Sequence, residues 1–153
     1  MKTKTIISIL GLWVVGAAVC FASPHMGTWK LNEAKSKLAS GMGKNSTVVY
    51  AAAGDSVKVT VDGTDKDGKA THSEWTGKFD GKDYAVTGDS TADMRSYKQA
   101  NDQTLELTNK KDGKVTMSGQ IVVSADGKTR TVTISGTDAQ GKKIESVALY
   151  DKQ

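Results

Sequence analysis

The sequence predicts an all-β fold, an antiparallel up-and-down β-barrel of about ten strands with at most one short helix, and three observations lead there. An Asp-Gly-Lys device recurs along the chain, the runs between its copies are β-branched and alternate apolar with polar side chains, and every connection is short. Asp-Gly accepts the positive φ angles of tight hairpin turns, and the lysine opens the outgoing strand with a solvated charge. Strands spaced about 8–12 residues apart, with turn signals between them, mark a sandwich or barrel. Short connections make successive strands antiparallel neighbours.

The device appears as Asp67-Gly68-Lys69, Asp80-Gly81-Lys82, Asp112-Gly113-Lys114, Asp126-Gly127-Lys128 and, loosened, Ala139-Gln140-Gly141-Lys142. Ten runs are expected as strands: Gly27–Leu31, Ser46–Ala52, Ser56–Asp62, Lys69–Phe79, Lys82–Thr87, Asp93–Gln99, Gln103–Asn109, Lys114–Ser124, Lys128–Ser135 and Lys142–Lys152. Alternation assigns their faces. Val57, Val59 and Val61 oppose Lys58, Thr60 and Asp62; Trp75 and Phe79 share a face with Thr71 and Ser73; Leu105 and Leu107 oppose Glu106 and Thr108. Val115, Met117, Ile121 and Val123 oppose Thr116, Ser118 and Gln120, with Gly119 a candidate bulge. One apolar face per strand fits a closed sheet with a wet exterior. The single candidate helix is Asn32 to Ser40, with Asn32 as N-cap and Gly41 past its end.

The N-terminus reads as a targeting segment. Lys2 and Lys4 precede an uncharged, mainly apolar run from Ile6 to Val19, too short for a comfortable membrane span. Cys20 and Ala22 stand at the −3 and −1 positions of a cleavage site, so residues 1–22 are expected to be a signal peptide cut after Ala22 and residues 23–153 the mature domain, periplasmic or extracellular. The competing reading, a lipoprotein lipidated at Cys20, is disfavoured by the bulk of Val19. Without the two signal lysines, 19 basic and 17 acidic residues leave a net charge of +2. That near-neutrality does not point to nucleic acid or an anionic membrane. Cys20 is the only cysteine, so the mature domain has no disulfide and stands on its core alone. That core is lean, built of seven large aromatics among many Thr, Ser, Ala, Val and Gly, which favours an interior partly polar or partly open.

Reactive chemistry has little support. His25 and His72 are far apart, no HxH or HExxH spacing occurs, and the acidic run Asp62, Asp65, Asp67 departs from the calcium-loop pattern because Gly63 takes the first ligand position. No metal or cofactor is expected. There is no G-x-S-x-G elbow, and His72 with Glu74 reads as a solvated strand face rather than an acid–base pair. No catalytic residue is assigned, and the chain is not expected to be an enzyme. Arg95 and Tyr97 share a face, and Arg95 is one of only two arginines. A guanidinium inside a small barrel anchors a carboxylate by paired hydrogen bonds; the alternative has Met94 inward and Arg95 in solvent. Arg130 shares a face with Val132 and Ile134, which places it inward near a strand end or places the apolar pair outside.

Gly27-Thr28-Trp29-Lys30-Leu31 opens the domain and Leu149-Tyr150-Asp151-Lys152 closes it. These ends resemble the calycin superfamily of lipocalins and fatty-acid-binding proteins, and the fatty-acid-binding proteins more closely. Leu105 to Lys114 is also similar to a strand and turn of that family. The chain further resembles a group of secreted bacterial proteins with the same GTWKLN opening, a group that implies no activity. The resemblance implies that Trp29 closes the barrel's base. It also implies an interior site in which two arginines and a tyrosine hold a carboxylate. Tyr150 matches the tyrosine, but the arginine positions read Gln120 and Ala148, and the family's helix–turn–helix lid is reduced to Asn32–Lys44. The expected function is therefore binding of a small apolar or amphipathic ligand inside the barrel, lined by Tyr150, Gln120, Trp75, Tyr97 and Arg95. Neutral ligands are preferred, because a buried carboxylate without a cation is costly. The alternative is a structural or interaction barrel of the envelope with no ligand.

Overall fold

The computed structural model describes residues 23–137 and 140–153. The expected signal peptide, its cleavage site and Cys20 lie outside the described residues. Each expected run is a strand: β1 Gly27–Leu31, β2 Lys44–Ala53, β3 Ser56–Thr64, β4 Ala70–Gly77, β5 Tyr84–Thr87, β6 Met94–Asn101, β7 Thr104–Lys111, β8 Lys114–Val123, β9 Thr129–Thr137 and β10 Lys143–Lys152. Each pairs antiparallel with its sequence neighbour, and β1 closes the barrel against β10 through Trp29↔Lys152 and Leu31↔Tyr150. The aspartates of the turns act as acceptors. Asp126 Oδ1 takes the Lys128 N–H at 3.0 Å, and Asp65 Oδ1 takes those of Asp67 and Lys69 at 2.9 Å each. Asp112 and Gly113, at φ 50° and 76°, form a two-residue turn between β7 and β8, both in the left-handed region that Asp-Gly tolerates.

Two local expectations change. The Asn32–Ser40 helix is only a 3-10 turn over Glu33–Lys35, with Asn32 Oδ1 accepting the Lys35 N–H at 3.3 Å. Beyond it the backbone is extended at Ser36, whose hydroxyl donates to the Asn32 carbonyl at 2.7 Å and accepts the Leu149 N–H at 2.9 Å. Lys37 then exchanges backbone hydrogen bonds with Val147 at 2.7 and 2.9 Å. The free edge of β10 thus captures the segment as an extended strap, and side-chain bonding to the backbone competes with the helix. The second change is the bulge. It falls where Asn109↔Met117 is followed by Lys110↔Val115, leaving Thr116 unpaired. Val115 therefore turns out to 59% exposure instead of joining Met117, Ile121 and Val123. Gly119 answers a different need: a Cβ there would meet the Thr133 carbonyl oxygen at 2.2 Å.

Odd-numbered strands start at one end, here the base, and even-numbered strands start at the other, the rim. The core is densest towards the base, where Trp29, Val59 and Leu105 are wholly buried and Tyr50, Trp75 and Tyr97 nearly so.

Candidate functional site

The inward face carries an aromatic cluster. Trp75 stands edge-on to Tyr97 with ring centres 4.7 Å apart and edge-on to Tyr84 at 5.6 Å; Phe79 packs on Trp75, Tyr50 and Tyr97 at 6.4, 6.4 and 5.8 Å. The Trp75 indole N–H donates to the Arg95 carbonyl at 2.9 Å. Burial first, and then the neighbouring Tyr50, pushes the Tyr97 hydroxyl well above its ordinary pKa. Trp29 lies on the base. Its indole N–H donates to the His25 carbonyl at 2.8 Å, which fits the base-closing role that the resemblance implies.

The two arginines both point in. Arg95 on β6 is 8% exposed; its Nε donates to Asn109 Oδ1 at 2.7 Å and its Nη2 to Asp89 Oδ2 at 2.9 Å. Asp89 comes from the β5–β6 loop, where Gly88 at φ 77° passes so close to the His72 carbonyl that a Cβ would meet it at 2.1 Å. Arg95 is thus an inward cation that already has its carboxylate. Arg130 on β9 is paired in register with Tyr150 and Val123 and is 3% exposed. Its guanidinium carbon lies 4.6, 5.1 and 5.2 Å from the ring centres of Tyr150, Tyr50 and Trp29. Burial raises the Tyr150 hydroxyl to about 12, against the pull of the Arg130 charge. That hydroxyl donates to the Asn45 carbonyl at 3.0 Å.

Four of the five expected lining residues, Tyr150, Trp75, Tyr97 and Arg95, are therefore inside the barrel. Gln120 is not: it alternates with inward Ile121 and is exposed on the outer face. The period-2 alternation of β8 already grouped it with Ser118, and the family alignment that proposed it ran against that alternation. Ala148, the other aligned position, faces in and is half-buried beside Val132. Sequence reasoning left Arg130 open, although the face it shares with Val132 and Ile134 carried the signal. It missed His25, which no periodicity reaches: the residue sits in a turn before β1, wholly buried, its ring 6.3 Å from Phe79.

Towards the rim the inward wall changes character. Leu31, Val132, Ile134, Ala148, Met117 and Ile144 face in by register yet are only half-buried. A cleft of about 330 Å³ lies at the rim ends of β8, β9 and β10, lined by Met117, Ser118, Gly136, Thr137, Ile144 and Glu145 among others. On the outside, Asp62, His72, Glu74 and Lys58 form a solvent-facing row. His72 Nδ1 lies 2.6 Å from Asp62 Oδ1, and Lys58 Nζ lies 2.7 Å from Glu74 Oε1. His72 and Glu74 share that face, as alternation requires.

The fold defines a closed, ten-stranded antiparallel barrel with one densely aromatic end. No protein-family model matches the chain, and no curated protein does. Among solved structures it is similar to a redesigned β-barrel, mFAP1, bound to DFHBI, at 15% identity over 84% of this chain and 95% of that one, with a TM-score of 0.47.

Proposed function

We propose that this chain is an exported, non-enzymatic barrel that holds a small apolar or amphipathic ligand in its interior. The observation that carries the reading is the accessible inward wall: Leu31, Val132, Ile134 and Ala148 point into the barrel and pack against its core, yet the protein covers them only in part. Apolar surface left wet inside a closed sheet costs about 25 cal/mol per Å², and a ligand that covers it recovers that amount. At the rim ends of β8, β9 and β10 lies a separate cleft whose volume falls at the lower end for small-molecule sites. A neutral, environment-sensitive dye such as N-phenyl-1-naphthylamine is expected to brighten on binding. Ala148→Trp, which fills the wall, should weaken that binding at least tenfold. Unchanged binding in Ala148→Trp would sink the interior site. Export is tested by intact mass, with a chain beginning at Ser23 expected.

A second reading, a barrel working through its outer surface, draws on Val115 and Val122, exposed by 59% and 41% on β8. It predicts no dye binding and a partner that protects β8 from hydrogen exchange.

A further inference from the structure

The base of the barrel holds basic side chains that have no counter-charge among the described residues. Arg130 is 3% exposed, and its Nε and Nη1 have no hydrogen-bond partner among the described residues. His25 is wholly buried, and neither of its ring nitrogens has one there. Lys152 adds a third basic group, its Nζ 5.0 Å from the centre of the Trp29 ring that Arg130 also covers. The aromatic faces around the guanidinium return about 0.5–2 kcal/mol each at best. Each buried donor left unmade costs about 1–3 kcal/mol, and more when it is charged. The barrel's other inward arginine shows what is missing: Arg95 has Asp89 at 2.9 Å, whereas Arg130 has no such partner among the described residues.

We propose that the base is an oxyanion site, with Arg130 as its anchor and His25 as a second donor, for a carboxylate or phosphate group. The inference rests on the interior-binding reading and deepens it by naming the charge of the group bound deepest. The site does not sit at the aligned positions Gln120 and Ala148; its arginine comes from β9 and its histidine from the turn before β1. It reverses the preference for neutral ligands that those two positions suggested. The rings cover the guanidinium, so an anion reaches it when one of them swings. Tyr150 is the ring on the strand that also carries half-buried Ala148, and its rotation joins Arg130 to the accessible wall.

The oxyanion has two sources, a small free anion or the head group of an amphipath. Four additions at matched ionic strength separate them: inorganic phosphate, decanoate, methyl decanoate and sodium chloride alone. The readouts are the NMR signal of the Arg130 Nε–H and the thermal midpoint. Decanoate or phosphate is expected to shift that signal and raise the midpoint, and Arg130→Met should weaken the effect at least tenfold. Without ligand, Arg130→Met should melt no lower than the native chain, because it removes an unpaired buried charge. A response to phosphate as strong as to decanoate identifies a free anion; a response to decanoate alone identifies a head group. Methyl decanoate binding as tightly as decanoate, with the Arg130 signal unmoved, overturns the anion site and leaves the interior reading standing. No binding of either decanoate or its ester, with the signal unmoved by phosphate, overturns both. If Arg130→Met does not fold, the wild-type NMR titration decides by itself.

Discussion

Arg95 and Arg130 are the same side chain in two electrostatic settings. Both face the interior, but Arg95 is matched by Asp89 and Asn109, whereas Arg130 lies against aromatic rings and has no carboxylate partner among the described residues. Breaking a buried pair leaves an uncompensated charge, which costs about 3–5 kcal/mol. Asp89→Asn should lower stability by about 3 kcal/mol in urea melts, at the low end because the Asp89 side chain keeps 17% exposure. A loss under about 1 kcal/mol would mean that Arg95 finds water or another acceptor. Alternation in β6 placed Arg95 with Tyr97 from the sequence alone. What no local pattern contained was Asp89, a loop residue six positions upstream brought round by the Gly88 turn.

Among the elements, the strap after β1 departs furthest from its reading. Asn32, Glu33 and Lys35 have the capping chemistry of a helix start, and the turn they form is real. It stops because the β10 edge offers Lys37 and Ser36 better partners than a helix does. Ser36 holds the two together, with its hydroxyl between the Asn32 carbonyl and the Leu149 N–H. Ser36→Ala leaves that part-buried N–H unpaired and should cost about 1–2 kcal/mol. Amide exchange at Leu149 and Val147 should quicken at the same time; unchanged exchange would show that the strap is held elsewhere. The β8 bulge was likewise invisible to alternation, which continues through Val115 as though no residue had been inserted. Pairing with β7 decides which residue is skipped.

At the scale of the whole molecule, pH reads the buried base. Burial first, then the charges of Arg130 and Lys152, hold the His25 pKa down to about 4 from an ordinary 6.5. Above pH 6.5 the residue is neutral folded or unfolded and contributes nothing. Between 6.5 and 4 the unfolded chain binds a proton that the folded one refuses, so stability falls as pH falls. The loss reaches about 3 kcal/mol near pH 4. His72 runs the other way: its hydrogen bond to Asp62 raises its pKa, so its contribution is present below 6.5 and fades as pH rises through the folded value. It is fully exposed, so its part is small. Urea midpoints from pH 7 to 4 should drop in the native chain and flatten in His25→Gln; equal slopes would place the titration elsewhere. An anion bound beside His25 should flatten the same slope.

By itself the sequence determined the strand number, the turns and most of the inward faces. Those depend on φ preferences at Asp-Gly and on a two-residue alternation, both properties of a few neighbouring residues. It also proposed Trp75 and Tyr97 for the interior, left Arg95 open between interior and solvent, and reached Tyr150 through the family resemblance. The tertiary structure alone decided that Arg95 is paired, that Arg130 Nε and Nη1 and both His25 ring nitrogens are buried without partners among the described residues, that Gln120 faces out and that the wall near the rim is only half covered. Each of these depends on which strands meet across the barrel. Hydrogen bonds, counter-charges and buried surface there come from residues far apart in the chain, a relation that no local pattern records.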